Sequence, residues 1–272
     1  MNALHPIERK EIHGIHYVLV NIYSWFVVAI AFLPQIYVIY TSFLKTSGKI
    51  FLKGFSLDSY RYAFTHLTKA IPNTFIIGGL ALIVVIVLAI LIAYLVVRRN
   101  NLMNKVIDTV SMVPYIIPGS VVGIALVMAF NKKPLVLTGT MIIMIVALVI
   151  RRIPYTIRSS TATLQQISMS IEEAAISLGS NKLKAFFRIT VPMMANGILS
   201  GAIMSWVTII TELSTAIILY NLNTITLTLA TYTYVSRGNY GIAAAYATIL
   251  TVSTIISLLI YMKVTGNKEI SF

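Results

Sequence analysis

The 272-residue chain contains no cysteine, which excludes a disulfide framework and any thiolate metal centre. Acid is scarce as well: 8 Asp and Glu stand against 21 Lys and Arg, a formal net charge of +13. Charged residues of either sign make up only 11% of the chain, while 58% is hydrophobic and the mean hydropathy is +0.87. A soluble domain of that composition would lack the polar surface that keeps it dispersed. The class is therefore a polytopic membrane protein, with no room beside its spans for a large soluble domain. In a soluble chain the basic excess would point to nucleic acid. Here the basic residues lie between apolar runs, where topology and anionic membrane lipid account for them, and no nucleic-acid partner is expected. A phosphate-binding loop is also missing. Gly48-Lys49 has no glycine five positions earlier and is followed by Ile50, so the chain carries no ATPase motif of its own. No serine, cysteine or metal-site constellation for hydrolysis stands out. His13 and His16 have only Glu8 and Glu11 nearby and read as interfacial residues rather than a metal pair.

What is abundant is long apolar sequence. Six candidate spans run over Tyr17–Phe43, Pro72–Val97, Val106–Phe130, Leu135–Ile157, Gly197–Tyr220 and Tyr240–Met262. Each is long enough, at ~1.5 Å per residue, to cross a ~30 Å hydrocarbon layer as a helix. The first is too long for a signal-peptide core and reads as an uncleaved span, although Ala29-Ile30-Ala31 mimics a cleavage site. Six spans put both termini on one side. With that side cytoplasmic, 13 of the 21 basic residues lie inside, including the pairs Arg98-Arg99 and Arg151-Arg152 at span ends. The expected organisation is a cytoplasmic segment 1–16, an all-α membrane domain 17–262 with a cytoplasmic loop 158–196, and a cytoplasmic tail 263–272. Pro114, Pro118 and Gly119 should kink the third span. The pairs Gly119/Gly123 and Gly197/Gly201 have the spacing of close helix contacts, read here as intramolecular. Between spans five and six, the stretch 221–239 should form a partly buried surface helix at the outer mouth.

The loop between spans four and five is the one long polar, basic stretch. Ser170 is placed to cap a helix whose first turn holds Glu172 and Glu173. Ala174, Ala175, Ile176 and Leu178 continue it, Gly179-Ser180-Asn181 ends it, and Lys182–Thr190 forms a second helical stretch before Pro192 interrupts. Such a segment suits an interfacial amphipathic element.

The spacing Glu173-Ala174-Ala175, three residues, Gly179, nine residues, Ile189, one residue, Val191-Pro192 resembles the EAA loop of ABC-importer permeases, with Val191 where that pattern usually has Leu. The lead-in Arg152–Arg158 and Leu164–Ile167, the triplet Glu212-Leu213-Ser214 and the entry Gly238–Ala245 are similar to the ferric-iron, polyamine, thiamine and phosphonate branch, the last two most like its ferric-iron members. The resemblance implies a MetI-like permease fold in a prokaryotic cytoplasmic membrane. It implies a coupling loop gripped by a cytoplasmic ATPase through Glu173, Ala174, Ala175, Gly179, Ser180 and Lys182. The implied partners are a second permease, identical or related, two ATPase subunits holding ATP and Mg, and an extracytoplasmic substrate-binding protein. This chain would bind no cofactor itself. Iron(III) is the substrate expected, with phosphonate, phosphorylated sugar, thiamine or polyamine as alternatives.

Glu212 is the one acid deep inside an apolar span, Asp108 standing only two residues into the third. Such a group should face the bundle or a wet cavity, as a helix-pinning hydrogen bond or as part of the path. Thr208, Thr211 and Thr215 share its neighbourhood. An ionised Glu212 lining the path would favour a cation. A different class of function, a proton-coupled secondary transporter, would use the same carboxylate as its proton carrier.

Overall fold

The computed structural model describes residues 13–99 and 101–264. It is mostly helical. Helix α1 (Ile15–Ser42) is apolar over its whole circumference and buries only Thr41 and Ser42 within the chain, where its end meets the rest of the bundle. A tight hairpin follows, β1 (Leu44–Ser47) against β2 (Ile50–Phe55), turning at Gly48 with φ +58°. This pair of strands is the one departure from the all-helical expectation among the described residues. Short helix α2 (Asp58–Thr65) leads into α3 (Ala70–Arg98), the most apolar of the long helices.

The third expected span is not one straight helix. It consists of α4 (Leu102–Ile116) and α5 (Gly119–Phe130), bent by 109° where Pro118 precedes the first residue of α5. The fourth is α6 (Met141–Gln165), displaced toward the C-terminus relative to the expected 135–157. Arg151 and Arg152 therefore sit in the middle of a 25-residue helix and not at a span end, which removes them from the topological charge count. The loop expected to act as a coupling segment, and called that below, comprises α7 (Met169–Ser177), α8 (Lys182–Ala185), a π turn over Phe186–Thr190, and α9 (Val191–Met193). The fifth span is α10 (Ala195–Ile210) followed by a break and the single turn α11 (Ala216–Leu219). Helix α12 (Leu227–Ser236) lies before α13 (Tyr240–Val264), the last span. By length and composition α1, α3 and α13 each suffice to cross a membrane, and the two bent pairs, α4 with α5 and Lys182–Met193 with Ala195–Ile210, raise the number to five. Helix α6 has the length, but Arg151, Arg152 and Arg158 interrupt its apolar character.

The centre of the bundle is α3 packed on α6, with α10 against both. Helix α3 offers a stripe of Ile77, Ala81, Val85, Ala89 and Ala93, four residues apart and fully buried. Residues at that spacing share one helix face. The small side chains among them let a neighbouring backbone come close, which is how helices associate where hydrocarbon offers no hydrophobic driving force. The Gly197/Gly201 pair does the same between α10 and α6. A Cβ on Gly201 would lie 2.6 Å from the Thr156 Cα, and one on Gly197 would collide with the Thr163 side chain. Hydroxyls fix the register: Ser159 donates to the Gly197 carbonyl at 2.7 Å, and Ser205 donates to the Arg152 carbonyl at 3.0 Å. Gly123 packs the same way, its Cβ position 2.9 Å from the Ile218 Cβ. Both glycine pairs are thus contacts within the chain, as their spacing suggested.

At the end of the bundle opposite the coupling segment, α12 closes over α3. Leu227, Leu229, Ala230 and Tyr234 are buried there, so the expected partly buried helix is present. Asn73 on α3 donates to the carbonyls of Asn223 (2.8 Å) and Ile225 (3.0 Å), and the Leu227 N–H donates to Thr74.

Candidate functional site: the coupling segment and the broken-helix cluster

The segment expected over 158–196 starts later, because α6 continues to Gln165. Ser168, rather than the expected Ser170, is the N-cap of α7; its hydroxyl accepts from the Ser170 N–H and lies 2.7 Å from the Ser170 hydroxyl. Helix α7 ends as the sequence indicated. Gly179 adopts φ +89°, and the N–H groups of Gly179 and Ser180 turn back to the carbonyls of Ile176 (2.9 Å) and Ala175 (3.0 Å). Asn181 then caps α8, accepting from the Lys184 N–H at 2.7 Å. Pro192 does not interrupt the chain. It occupies the first turn of α9, where its missing N–H costs nothing, and the direction changes by 67° at Met194 instead.

Of the residues expected to meet an ATPase, Glu173, Ala174, Gly179 and Lys182 are exposed, and Ala175 and Ser180 are half-buried. Around them stand large apolar side chains that nothing in the chain covers: Leu178 is 89% exposed, Leu183 71% and Phe187 64%.

The neighbouring acid plays a part that the sequence reading did not assign. Glu172 is buried and binds the Arg98 Nε at 2.8 Å and the Tyr94 hydroxyl at 3.1 Å, while the Arg98 guanidinium also donates twice to the Ile167 carbonyl. Tyr94 packs edge-on against Phe186 of the π turn. The coupling segment is thereby clamped to the end of α3. Little in the sequence announced it: adjacent residues on a helix point about 100° apart, and nothing local decides whether Glu172 faces outward beside Glu173 or inward toward Arg98.

The second cluster forms where two helices are broken. Glu212 lies not within a helix but in the break between α10 and α11, and it is 5% exposed. Its Oε1 accepts from Arg151 Nη1 (2.8 Å), the Ser214 hydroxyl (2.7 Å) and the Thr215 N–H (3.0 Å); its Oε2 is paired with Arg152 Nη2. Arg151 Nη1 reaches Ser214 Oγ at 2.8 Å and Thr215 Oγ1 at 3.1 Å as well. Gly119, at the bend between α4 and α5, closes the group: a Cβ there would strike Ser214 Oγ and Arg151 Nη1. Of the four residues expected together, Glu212 and Thr215 share this cluster. Thr208 and Thr211 do not, since their hydroxyls bond back to the carbonyls of Met204 and Val207 on their own helix. Thr211 faces instead, with Leu213, a cleft of about 570 Å³ that Gln35, Thr228, Thr231 and Thr251 also line. The local charge differs from that of a carboxylate standing alone. A lone Glu212 would have favoured a cation, whereas two guanidinium groups on one carboxylate leave a surplus positive charge. No group of three or more metal-ligating side chains is found among the described residues.

Comparison with known proteins agrees with this architecture. The family described as binding-protein-dependent transport system inner membrane component matches residues 85–264. The ferric transport system permease protein FbpB of Actinobacillus pleuropneumoniae is 31% identical over 231 residues, covering 85% of this chain and 32% of that protein. The putative 2-aminoethylphosphonate transport system permease protein PhnV of Salmonella paratyphi A is 26% identical over 233 residues, covering 85% and 87%. The chain spans about a third of the length of the ferric relatives it matches. Among solved structures, a chain of a bacterial ABC transporter involved in the import of the acidic polysaccharide alginate superposes with a TM-score of 0.72 at 18% identity, over 93% of this chain and 94% of the other.

Proposed function

Because the chain belongs to the family of binding-protein-dependent transport system inner membrane components, we propose that it works as a membrane-spanning subunit of an ABC importer whose cargo is iron(III). The observation that carries the importer reading is the segment from Ser168 to Met193. A short helix, a glycine turn and a second helix expose an apolar rim around Glu173, and a buried ion pair ties the same segment to α3. In this reading the chain sits in a prokaryotic cytoplasmic membrane with both termini on the cytoplasmic side. A second permease completes the path, two ATPase subunits holding ATP and Mg grip the coupling segment, and an extracytoplasmic binding protein delivers the cargo. Closure of the ATPase pair on ATP pulls the segment, and the Glu172–Arg98 pair passes that displacement into α3 and the helices packed on it. Each end state is held only as far as ATP and loaded binding protein bind it preferentially.

Iron(III) is supported by the ferric relatives and by the Glu212-Leu213-Ser214 triplet. One observation favours a second cargo class: the surplus guanidinium charge at Arg151 and Arg152 suits an oxyanion such as a phosphonate, and a phosphonate permease is among the relatives. The proton-coupled alternative required a Glu212 at liberty to exchange protons, but both of its oxygens engage arginines. Elemental analysis of the copurified binding protein, paired with ⁵⁵Fe uptake into vesicles, tests the proposal. Stoichiometric iron and uptake that stops without ATP are expected. A binding protein loaded with an oxyanion and no iron would overturn the cargo, and uptake without any ATPase would overturn the importer.

A further inference from the structure

We propose that Arg151, Arg152 and Ser214, backed by Thr215, form a station in the membrane that receives an anionic oxygen group of the permeant. The inference rests on the importer reading and not on the choice of iron. Four observations converge on it.

Charge comes first. Two arginines share one carboxylate, and the other acids among the described residues lie elsewhere: Asp108 pairs with Arg158, Glu172 with Arg98, Glu173 is exposed on the coupling segment, and Asp58 opens α2. A net positive charge within a bundle of apolar helices persists only beside water or a counter-ion. Second, the guanidinium groups are not saturated: Nε of Arg151 and Nε of Arg152 are buried and have no hydrogen-bond partner. Third, two interrupted helices meet there. The α10–α11 break supplies Glu212, Ser214 and Thr215, and the first residue of α5 lies against Ser214 and Arg151. The start of a helix carries unpaired N–H groups and a positive dipole end, so α5 adds to the field. Fourth, one edge of the cluster is open and hydroxyl-bearing. Ser214 and Ser120 are exposed while Glu212 and Thr215 are buried beneath them. An approaching anion would meet Ser214 and the Arg151 guanidinium and leave Glu212 behind them as the group that fixes both arginines. Two guanidinium forks and two hydroxyls match the oxygens of a carboxylate, carbonate or phosphate.

That chemistry has two sources. The anion is either the cargo itself or a ligand travelling on the iron ion, which spares the positively charged station a bare trivalent cation. Inorganic phosphate is the probe, bound to the whole importer complex in lipid nanodiscs with the ATPase sites filled by ADP. Arg151→Gln should weaken phosphate binding at least 10-fold, Arg151→Lys should keep most of it, and Glu212→Gln should strengthen it, because that change raises the surplus charge. A purely structural ion pair would make R151Q and E212Q fail together; that result, or phosphate binding indifferent to all three variants, overturns the proposal. Vesicle uptake then separates the sources. Entry of ³²P-phosphate in step with ⁵⁵Fe identifies a ligand of iron, and entry of ³²P without iron identifies an oxyanion cargo. Iron uptake that proceeds without an anion and at the same rate in R151Q refutes the station while sparing the iron reading.

Discussion

At the scale of single residues, the two buried acids do different things with the same chemistry. Glu172 and Glu212 are each held by arginine from another part of the chain, at side-chain exposures of 9% and 2%. Removing one member of a buried pair leaves an uncompensated charge and typically costs about 3–5 kcal/mol. For Glu172 that cost falls on the contact between the coupling segment and α3, since Tyr94 also donates to Glu172 and its arginine also holds the Ile167 carbonyl. Glu172→Gln should therefore leave ATP hydrolysis running while uptake per ATP drops several-fold. Parallel assays of ATP turnover and uptake in the same vesicles check this, and an unchanged ratio would show that the pair holds the fold without relaying motion. Glu172 was hard to see from sequence because it stands beside Glu173, on which the spacing rule fixes attention. The choice between the two is made by the helix face that happens to meet Arg98.

At the scale of elements, what was legible is what depends on apolar run length and on special backbone positions. The long helices α1, α3 and α13 lie within a few residues of the expected spans, since a stretch of apolar residues in lipid has no alternative to the helix. Gly179 terminates α7 as expected, because only a residue without Cβ sits comfortably at φ +89°. The kink at Pro118-Gly119 was legible, but the size of that break and the existence of the one before α11 were not. Hydropathy continues through Ile117-Pro118, and nothing local distinguishes a kinked helix from two helices bent by 109°; the polar run Thr211-Glu212-Leu213-Ser214-Thr215 is short and flanked on both sides by apolar sequence, which carried it into the expected span. The mid-helix position of Arg151 and Arg152 was misread for a related reason: a charged pair ends an apolar run unless its counter-charge, 60 residues away, is known to be adjacent. The glycine pairs were readable because their function is steric. Gly201→Val should lower the unfolding temperature in detergent, since even a Cβ there lies 2.6 Å from the Thr156 Cα, which is backbone and cannot rotate away. Overpacking of this kind costs about 1–3 kcal/mol. Gly79 offers a control, as a Cβ there meets nothing within 4 Å, so Gly79→Val should change the temperature far less; equal shifts would show that the α6–α10 contact is looser than drawn.

At the scale of the whole molecule, the two ends of the bundle are built on opposed principles, and that polarity is measurable. One end is the coupling segment, with exposed Leu178, Leu183 and Phe187 on short stretches held to the core by the Glu172–Arg98 pair and the Tyr94–Phe186 contact. The other is stitched: Asn73 and Thr74 bond the 223–227 backbone, and Tyr246 donates to the carbonyls of Ala63 and His66 at 3.1 and 2.7 Å. An ATPase acting from one side requires a pliable handle there and a firm closure at the far side, so the importer reading fixes which end faces the cytoplasm. The absence of cysteine makes each introduced thiol unique within this chain. Leu178→Cys (89% exposed at the native side chain) and Leu222→Cys (72%) lie at opposite ends and replace side chains that nothing packs against. In intact cells a membrane-impermeant maleimide should label position 222 and not 178. In inverted vesicles the pattern should reverse, and bound ATPase should protect position 178. Labelling of 178 from outside intact cells would invert the molecule and, with it, remove the handle from the reach of any cytoplasmic engine.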